Sequence, residues 1–445
     1  MKIAWFSPFP PEKSAIAEYS ITIIDELQKS CYVDLWIPVS DEEDVQIGDK
    51  YNGKYSIFNF IKNPEYINML GSYDAIIYNI GNDLSFHKNI FEVLKLHPGI
   101  VILHDYVLHH FFAAYYLSKK TYIQEMEKNY GEKGKRLAED ILSGKTKAVW
   151  ETDDVLSYPL NEDVINNATG LIVHSDFVKG MLKNRYEGLI QKLNFPSVPW
   201  KGRYMGKKNL NIAPDKISLL TFGEVNPNKR IDKVIEILGE NKDLADKIIY
   251  FIVGREHKDS YDVNKFIEKF GLNDVVKVLG YQPKNILNSY ISSADICINL
   301  RYPTMGESSW SLVQVLLAGK PAIVTRFGWY DELPDACVIK INPDREKEEM
   351  PFYLRELCNS RDILIEAGVR ARRFAINNFS TEAYCSGLID FMEKVREQQS
   401  EIVSNLIDEI SRELCSMGAD ENSDIVNVAA KEIRNLANMR LDEDL

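Results

Sequence analysis

Short apolar runs alternate with longer helical patterns along most of this chain, and no other feature restricts its fold as strongly. The runs are rich in β-branched side chains, as the strands of a buried parallel sheet are. Because parallel strands need a crossover connection, usually a helix, the alternation predicts βαβ units and an α/β fold. Two series of runs predict two doubly wound, Rossmann-like sheets. The runs lie at 3–6, 33–37, 75–78, 100–103 and 171–173, and then at 218–222, 248–253, 275–279, 296–300, 322–324 and 338–341.

Residues 194–214, between the two series, contain prolines, a glycine and basic residues without periodicity, which indicates a linker. We therefore predict an N-terminal domain over residues 1–200 and a second domain over 215–375. A helix over 376–397 is expected to return to the first domain. An acidic helical hairpin over 398–445 is expected to follow and to dock on the body or on a second subunit. Its two apolar stripes are Ile402, Leu406, Ile410 and Leu414, then Val426, Ala429, Ile433 and Leu436.

The charge balance argues against non-specific binding to nucleic acid, because 53 basic and 66 acidic residues leave a net charge of −13. The six cysteines are scattered without metal-ligand spacing, as expected for small buried side chains in a reducing compartment. No signal-peptide core and no apolar run of membrane-spanning length is present, so we predict a cytoplasmic protein. The mixed-charge stretch 129–148 is interpreted as a solvated helix rather than a membrane-surface patch. Peripheral contact with the inner face of a membrane stays open.

The segment 299–325 is the most informative for function and reads N-L-R-Y-P-T-M-G-E-S-S-W-S-L-V-Q-V-L-L-A-G-K-P-A-I-V-T. A strand ends, Pro303 interrupts it, Gly306 permits a tight turn, and Ser308 or Ser309 can cap a helix over about 310–318. Free amides and hydroxyls at a helix start suit a phosphate, whereas the carboxylate of Glu307 suits sugar hydroxyls. Taken by itself, a strand followed by a turn and a capped helix is as often purely structural as it is part of a binding site.

This segment resembles the signature of the retaining GT-B glycosyltransferases, the large family of sucrose and glycogen synthases and of bacterial cell-wall mannosyl and glucosyl transferases. That signature is P-S-x-x-E-G-F-G, with a second Glu eight residues after the first and then A-x-A-x-G-x-P. The first Glu corresponds to Glu307 and the second to Gln314. The resemblance implies that Glu307 meets the donor sugar and that Gln314 bonds the nucleotide ribose. It also implies a GT-B fold, with two facing Rossmann-like domains, here followed by a C-terminal helical extension.

A second segment, 219–232, reads L-L-T-F-G-E-V-N-P-N-K-R-I-D and resembles the G-R-x-x-x-x-K-G loop of the same family. Gly223 and Lys229 match, while Glu224 stands at the family Arg and Arg230 at the last Gly. We therefore expect Lys229 and Arg230 together to neutralise the donor diphosphate, the alternative being two solvated residues at a helix start. The family's loops for base and ribose correspond to 248–256 and 278–283, which makes Arg255 and Tyr281 candidates.

In the first domain, Ser14 and Ala15 replace the Gly-Gly pair of the family's donor loop. His104 and Asp105 follow a predicted strand, and the resemblance implies that His104 lies near the donor sugar. His109 and His110 are candidates for shaping the acceptor pocket, and His174 is expected to be structural. The predicted catalytic residues are His104, Asp105, Glu307 and Lys229, and the predicted donor-binding residues are Ser14, Gly223, Lys229, Arg230, Arg255, Tyr281, Gly306, Glu307, Ser308, Ser309 and Gln314.

The resulting hypothesis is a glycosyltransferase that moves a sugar from a nucleotide-diphosphate donor to a glycan or lipid-linked acceptor of the cell envelope, a polysaccharide or a glycoconjugate. Retention of configuration is implied by the resemblance alone. No D-x-D motif stands at a strand end, so no metal and no cofactor besides the donor is expected. Self-association through the C-terminal helices is a further expectation. A sugar-nucleotide epimerase and a non-catalytic subunit that binds sugar nucleotides remain as alternatives.

Overall fold

The structure is a computed structural model that describes residues 1–437 apart from positions 13, 40–46, 48–50, 52, 117, 198–199, 203, 205, 211 and 421–422. Within these residues the N-terminal domain contains one parallel sheet with the strand order β3-β2-β1-β4-β5-β6-β7. The order reverses at β1, as in doubly wound folds. Its strands are β1 (Lys2–Phe6), β2 (Tyr32–Ile37), β3 (Ile57–Asn59), β4 (Ala75–Ile80), β5 (Gly99–Leu103), β6 (Ala168–Val173) and β7 (Ile190–Lys192).

Helices cover both faces of this sheet, and several begin at a side chain that accepts a hydrogen bond from the first turn. Ser14, Asp83, Ser118 and Ser175 cap four of them in this way. Apolar residues on the inner faces of the helices pack on the strands and form two buried clusters, one on each face of the sheet. The helices are α1 (Ala15–Leu27), α2 (Leu84–Leu96), α3 (His109–Tyr115), α4 (Lys119–Leu142), α5 (Glu162–Ile165) and α6 (Asp176–Leu182).

The second domain repeats this architecture with a parallel sheet in the order β10-β9-β8-β11-β12-β13. Its strands are β8 (Ile217–Phe222), β9 (Ile248–Val253), β10 (Val276–Gly280), β11 (Ile296–Asn299), β12 (Ala322–Thr325) and β13 (Ile339–Ile341). Its helices are α7 (Ile231–Glu240), α8 (Lys242–Ala245), α9 (Val263–Phe270), α10 (Lys284–Ser293), α11 (Trp310–Leu317), α12 (Glu346–Asn359) and α13 (Arg361–Asn378). Short 3-10 turns connect several elements, at Pro64–Ser72, Val149–Glu151, Asp153–Ser157, Lys207–Leu210, Pro227–Lys229 and Gly328–Glu332.

A long helix, α14 (Thr381–Ser416), leaves the second domain and packs against α1 of the first. The hydroxyls of Tyr384 and Tyr19 form a buried hydrogen bond between the two helices. Farther along, Phe391 and Val395 contact the sheet at Gly170, where a side chain would leave them no room. The first half of α14 therefore completes the core of the N-terminal domain.

Beyond Val395 the described part of α14 has no buried side chain, and α15 (Asp424–Ala437) folds back against it. These two helices form the C-terminal extension that follows the two facing Rossmann-like domains, so the predicted fold class is confirmed. The side chain of Leu436, residues 438–445 and part of the predicted linker lie outside the described residues. Within the described residues, no helix combines the length and the apolar character that crossing a bilayer requires.

Candidate active site

The carboxyl ends of the two sheets face each other, and the loop before α11 contacts the first domain directly. The amide of Val107 donates to the carbonyl oxygen of Met305 at 2.9 Å. The hydroxyl of Ser308 donates to the carbonyl oxygen of His174 at 3.3 Å. Since ligands of such sheets bind at the carboxyl ends of strands, the cleft closed by this loop is the candidate active site.

A second contact, which the sequence did not indicate, closes the same cleft. Glu332 accepts hydrogen bonds from the first amides of α6, Asp176 at 3.0 Å and Phe177 at 2.7 Å. Its carboxylate also accepts from Lys192 at 3.3 Å. A carboxylate at a helix start is favoured by the helix dipole, so this contact links the domains at a second point.

Gly306 allows the loop before α11 to approach the first domain. Its φ of 79° lies in the left-handed region, and a Cβ built on it would be 2.6 Å from Cβ of Tyr106. A side chain at this position would therefore strain the turn and push the domains apart.

Replacing Gly306 with alanine should hinder domain closure without unfolding either domain. Gly319→Ala is the matched control, because Gly319 has a φ of 68° but its Cβ would meet no atom closer than 3.5 Å. Both variants should lose roughly 1 kcal/mol of stability from backbone strain. Only Gly306→Ala should enlarge the radius of gyration measured by small-angle X-ray scattering. Equal radii for the two variants would contradict the role assigned to Gly306.

The carboxylate of Glu307 is held in a fixed position at the centre of the cleft. It accepts hydrogen bonds from the hydroxyl of Thr304 at 2.8 Å and from the amide of Met305 at 2.7 Å. The Nε atom of Arg301 lies 3.1 Å from its other oxygen. These donors orient the carboxylate, whose oxygens can also accept hydrogen bonds from sugar hydroxyls.

Asp105 faces the same cleft from the end of β5. It accepts a hydrogen bond from the amide of Asn82 at 2.9 Å. Burial raises the pKa of its carboxyl to about 7, and the negative charge of Glu307 contributes to the rise. The carboxyl group of Asp105 therefore shares one site with that of Glu307.

Because the pKa of Asp105 is raised in the folded protein, ionisation of this carboxyl lowers the free energy of unfolding. Below pH 4 the carboxyl is protonated in both states, whereas between pH 4 and 7 it ionises only in the unfolded chain. The contribution of Asp105 to the free energy of unfolding should consequently fall as pH rises, until both states are ionised above pH 7. Asp105→Asn should remove a cost on the order of 2–4 kcal/mol at pH 8. In thermal melts the gap between variant and wild type should widen from pH 5 to 7, and a constant gap would contradict the assignment.

His104 lies beside this pair as a neutral ring. Its Nε2 atom is 3.0 Å from Oδ1 of Asn79, and its ring contacts that of Tyr19 edge-on. Burial, together with the neighbouring His174 and His87, holds the pKa of His104 well below its usual range. A neutral imidazole can exchange hydrogen bonds with a sugar without adding charge to the cleft.

The other histidines of the first domain have structural partners. Nδ1 of His174 is 3.0 Å from the carbonyl oxygen of Leu193, and burial lowers the pKa of His174 to about 4. His109 contacts the carbonyl oxygen of Tyr158 and the hydroxyl of Tyr122 through its two nitrogens. Both nitrogens of His109 thus take part in packing within the domain. His110 is exposed and lies against the ring of Trp150.

Lys229 is a buried basic residue of the second domain, with only 4% of its surface exposed. Its Nζ atom donates to the carbonyl oxygen of Phe222 at 2.6 Å, and a Cβ on Gly223 would lie 2.7 Å from Nζ. Burial, and secondarily the charge of Arg301, holds the pKa of Lys229 well below its usual range. The loop after β8 therefore wraps around an amine that forms no ion pair among the described residues, although the charge of Glu224 partly opposes the lowering of its pKa.

Arg230 does not share this environment, which differs from the sequence expectation of a Lys229–Arg230 pair. Its Nε and Nη2 atoms donate to the carboxylate of Glu346 at 3.0 and 2.7 Å. Glu346 is 4% exposed and would be left buried without its partner. The guanidinium of Arg230 is thus occupied by an ion pair with Glu346.

The remaining predicted residues have three kinds of environment. Ser309 caps α11 by accepting from the amide of Leu312 at 3.1 Å, and Ser14 caps α1. The Nε2 atom of Gln314 is buried without a hydrogen-bond partner among the described residues, so it is available to a ligand. Arg255 and Tyr281 are exposed at the ends of β9 and β10.

The structure brings together five predicted residues in the cleft: His104, Asp105, Gly306, Glu307 and Ser308. Arg301 pairs with Glu307 and is close enough to Lys229 for its charge to lower the pKa of that lysine. Arg255 lies apart from them, 3.8 Å from Glu224, which also accepts from His257. Arg301 was missed by the sequence interpretation. In the sequence, its position two residues before Pro303 was the one feature that could have identified it as a site residue.

This architecture defines the GT-B fold class, and comparison with solved structures shows the same fold. HepE of Anabaena, solved with UDP and glucose, has a TM-score of 0.60 at 13% identity, over 88% of this chain and 100% of that chain. Sucrose-phosphate synthase of Thermosynechococcus elongatus has a TM-score of 0.61 at 13% identity, over 89% and 99% of the two chains. WaaG, a glycosyltransferase involved in lipopolysaccharide biosynthesis, has a TM-score of 0.55 at 15% identity, over 87% and 99%.

At the level of sequence families, residues 206–336 match the model described as Glycosyl transferases group 1. The match covers the linker end and most of the second domain, including Lys229, Arg301 and Glu307. A comparison with curated protein sequences gave no significant match.

Proposed function

We propose that the protein is a nucleotide-sugar-dependent glycosyltransferase whose second domain binds the donor and whose first domain supplies the acceptor surface. The observation that carries the proposal is that Asp105 of the first domain and Glu307 of the second face one closed cleft, where Arg301 pairs with Glu307 and lies near buried Lys229. The group 1 match of the second domain supports the same assignment. Solved neighbours of the same fold contain UDP and UDP-glucose, which makes a UDP-hexose the first donor to test.

In the proposed reaction, the bond between the anomeric carbon of the donor and the diphosphate oxygen breaks, and its electron pair stays on the diphosphate. Lys229 stabilises the growing negative charge from a site with little competing water. Glu307, and Asp105 when ionised, hold the sugar hydroxyls, and His104 supplies neutral hydrogen bonds. The acceptor oxygen then bonds to the anomeric carbon.

We propose that transfer occurs with retention of configuration. The acceptor would attack the same face from which the diphosphate leaves, and the diphosphate would take its proton. We assign no covalent nucleophile among the described residues of the cleft. Glu307 is already engaged by three donors, which hold its carboxylate in place. The proposed acceptor is a glycan or lipid-linked glycan of the cell envelope.

Thermal-shift measurements with UDP, GDP, dTDP and ADP sugars would test donor binding first. A ligand that binds only the folded state raises the melting temperature, by an amount that grows with its concentration relative to Kd. The donor that binds should then be incubated with acceptor glycans and the products analysed by mass spectrometry. Failure of every sugar nucleotide to stabilise the protein at millimolar concentration would refute the proposal.

An epimerase is the second candidate, favoured by the coupling between the carboxyl groups of Asp105 and Glu307. Two carboxyl groups of different proton affinity can serve as acid and base at a sugar ring. Incubation of the protein with the donor alone separates the candidates. A new sugar epimer without any acceptor would support the epimerase, whereas an unchanged donor would favour transfer.

The C-terminal extension is proposed as a contact between two copies of the chain. Ile402 of the first stripe is exposed, and so are Ile425 and Val428 next to the second stripe, so apolar surface of the extension stays uncovered in a single chain. Light scattering should give twice the chain mass for the full protein. Truncation after Gln398 should give the mass of one chain with an unchanged melting temperature, since the helix is buried only up to Val395. A monomeric full-length protein would contradict this proposal.

A further inference from the structure

Arg301 is a charged residue of the cleft to which the sequence interpretation assigned no role. It follows β11, which pairs in parallel with β8, so the loops after both strands leave the same edge of the sheet. The amide of Tyr302 donates to the carbonyl oxygen of Asn228 at 2.8 Å. These two residues are the direct chain neighbours of Arg301 and Lys229. The hydrogen bond therefore ties together the two loops that carry the cations.

The hydrogen bonds of Arg301 leave part of its guanidinium unused. Its backbone amide donates to the hydroxyl of Thr325 at 2.9 Å, and Nε lies 3.1 Å from the carboxylate of Glu307. Nη1 has a single long contact, 3.4 Å, to the carbonyl oxygen of Leu300. Nη2 has no hydrogen-bond partner in the described part of the chain. The Nε atom of the guanidinium is therefore held by Glu307, while its Nη atoms can donate hydrogen bonds to an anion.

Two partly or fully buried cations side by side disfavour one another unless an anion lies between them. Arg301 contributes to the lowered pKa of Lys229, which is what such proximity produces. Glu307 compensates one of the two charges. Glu224, at the start of the loop after β8, is half-exposed and engaged by His257. The remaining positive charge suits a bound dianion.

Arg230 is a poor alternative for this role. Its guanidinium is bound at two points by Glu346, and removing it would leave that carboxylate buried and unpaired. A bidentate Arg–carboxylate pair of this kind is retained for the fold.

We propose that Arg301 and Lys229 together bind the diphosphate of the donor, and that Arg230 lies outside the binding site. This inference rests on the proposed function, since it assigns a residue to that same site. Arg301 would hold a phosphate through its Nη atoms while its Nε stays on Glu307. One planar side chain would thereby set the position of the sugar-binding carboxylate relative to the leaving group.

The test is isothermal titration of wild type, Arg301→Gln, Arg301→Lys and Arg230→Gln with UDP, GDP and ADP. The corresponding monophosphates serve as paired ligands. For the diphosphate that binds wild type most tightly, Arg301→Gln should weaken binding by roughly 10- to 100-fold, as expected for a lost charge-assisted contact. The monophosphate should lose less than about threefold, Arg301→Lys should recover part of the loss, and Arg230→Gln should stay within about threefold of wild type.

The outcomes separate this inference from the proposed function. If wild type binds a nucleoside diphosphate and Arg301→Gln binds it equally well, only the inference on Arg301 is overturned. Equal losses for diphosphate and monophosphate would also overturn it, because a merely structural role for Arg301 predicts that pattern. If neither these three diphosphates nor dTDP binds wild type, the proposed function falls together with the inference. Circular-dichroism melts of each variant establish that the proteins compared are folded.

Discussion

Lys229→Met should leave the protein folded and abolish sugar transfer. Methionine fills the space of the lysine stem, and it removes a buried charge that has one hydrogen bond, to the carbonyl oxygen of Phe222, among the described residues. Relief of the desolvation cost should offset loss of that bond, so the free energy of unfolding should stay within about 1 kcal/mol of wild type. Loss of a charge directed at the leaving group should lower kcat/KM by at least roughly 1,000-fold.

Lys265→Met is the control for this experiment. Lys265 is exposed on α9 in the same domain, so its replacement removes a charge from the surface and should change neither stability nor turnover by a measurable amount. Steady-state kinetics with the identified donor, together with thermal melts, would provide both readings. A folded Lys229→Met variant that transfers sugar at the wild-type rate would contradict the catalytic role, and a variant that unfolds would show that Lys229 is needed for the fold.

Acidification should unfold the N-terminal domain before the second domain. Burial lowers the pKa values of His87, His109 and His174 to about 4, and it also lowers that of His104. These rings stay neutral in the fold while the unfolded chain takes up protons below pH 6.5. The stability they contribute is complete above pH 6.5 and is lost as pH falls towards 4. Each of the three should cost about 3 kcal/mol by pH 4.

The second domain contains one histidine, His257, which is exposed, so its stability should depend far less on pH over this range. Calorimetry from pH 7 to pH 4 should reveal a transition that splits as the pH falls, and pepsin digestion at pH 4 should cut first within residues 1–200. His109→Gln should move the acid midpoint of the first domain to lower pH, while His257→Gln should not. Simultaneous loss of both domains would contradict this account.

Several structural elements could be predicted from the chain because their signals are local. The buried strands appear as apolar β-branched runs, and the start of α11 follows from Ser309 before an apolar stretch. The edge strands Ile57–Asn59 and Ile190–Lys192 were missed, since three residues are too few to show a periodic pattern. The predicted helical stretch 129–148 overlaps the second part of Lys119–Leu142, which Gly131, with a φ of 63°, divides into two helical pieces, the first of them capped by Ser118.

Part of the candidate site could be predicted from the sequence, but not which basic residue lies beside Lys229. The motif places Lys229 and Arg230 next to each other in the chain, but Glu346, 116 positions away, binds Arg230. Arg301 instead reaches the side of Lys229 because β8 and β11 are neighbours in the sheet. Neighbours in a sheet are set by topology, which single-sequence patterns do not encode.

Apolar periodicity, helix caps and turn residues were enough to specify two α/β domains, because each depends on a few consecutive residues. The proton affinity of Asp105, the partner of Arg230 and the contact of Gly306 with Tyr106 depend on residues far apart in the chain. They arise only when the two sheets face each other, since burial and the distances between charges are properties of the folded molecule.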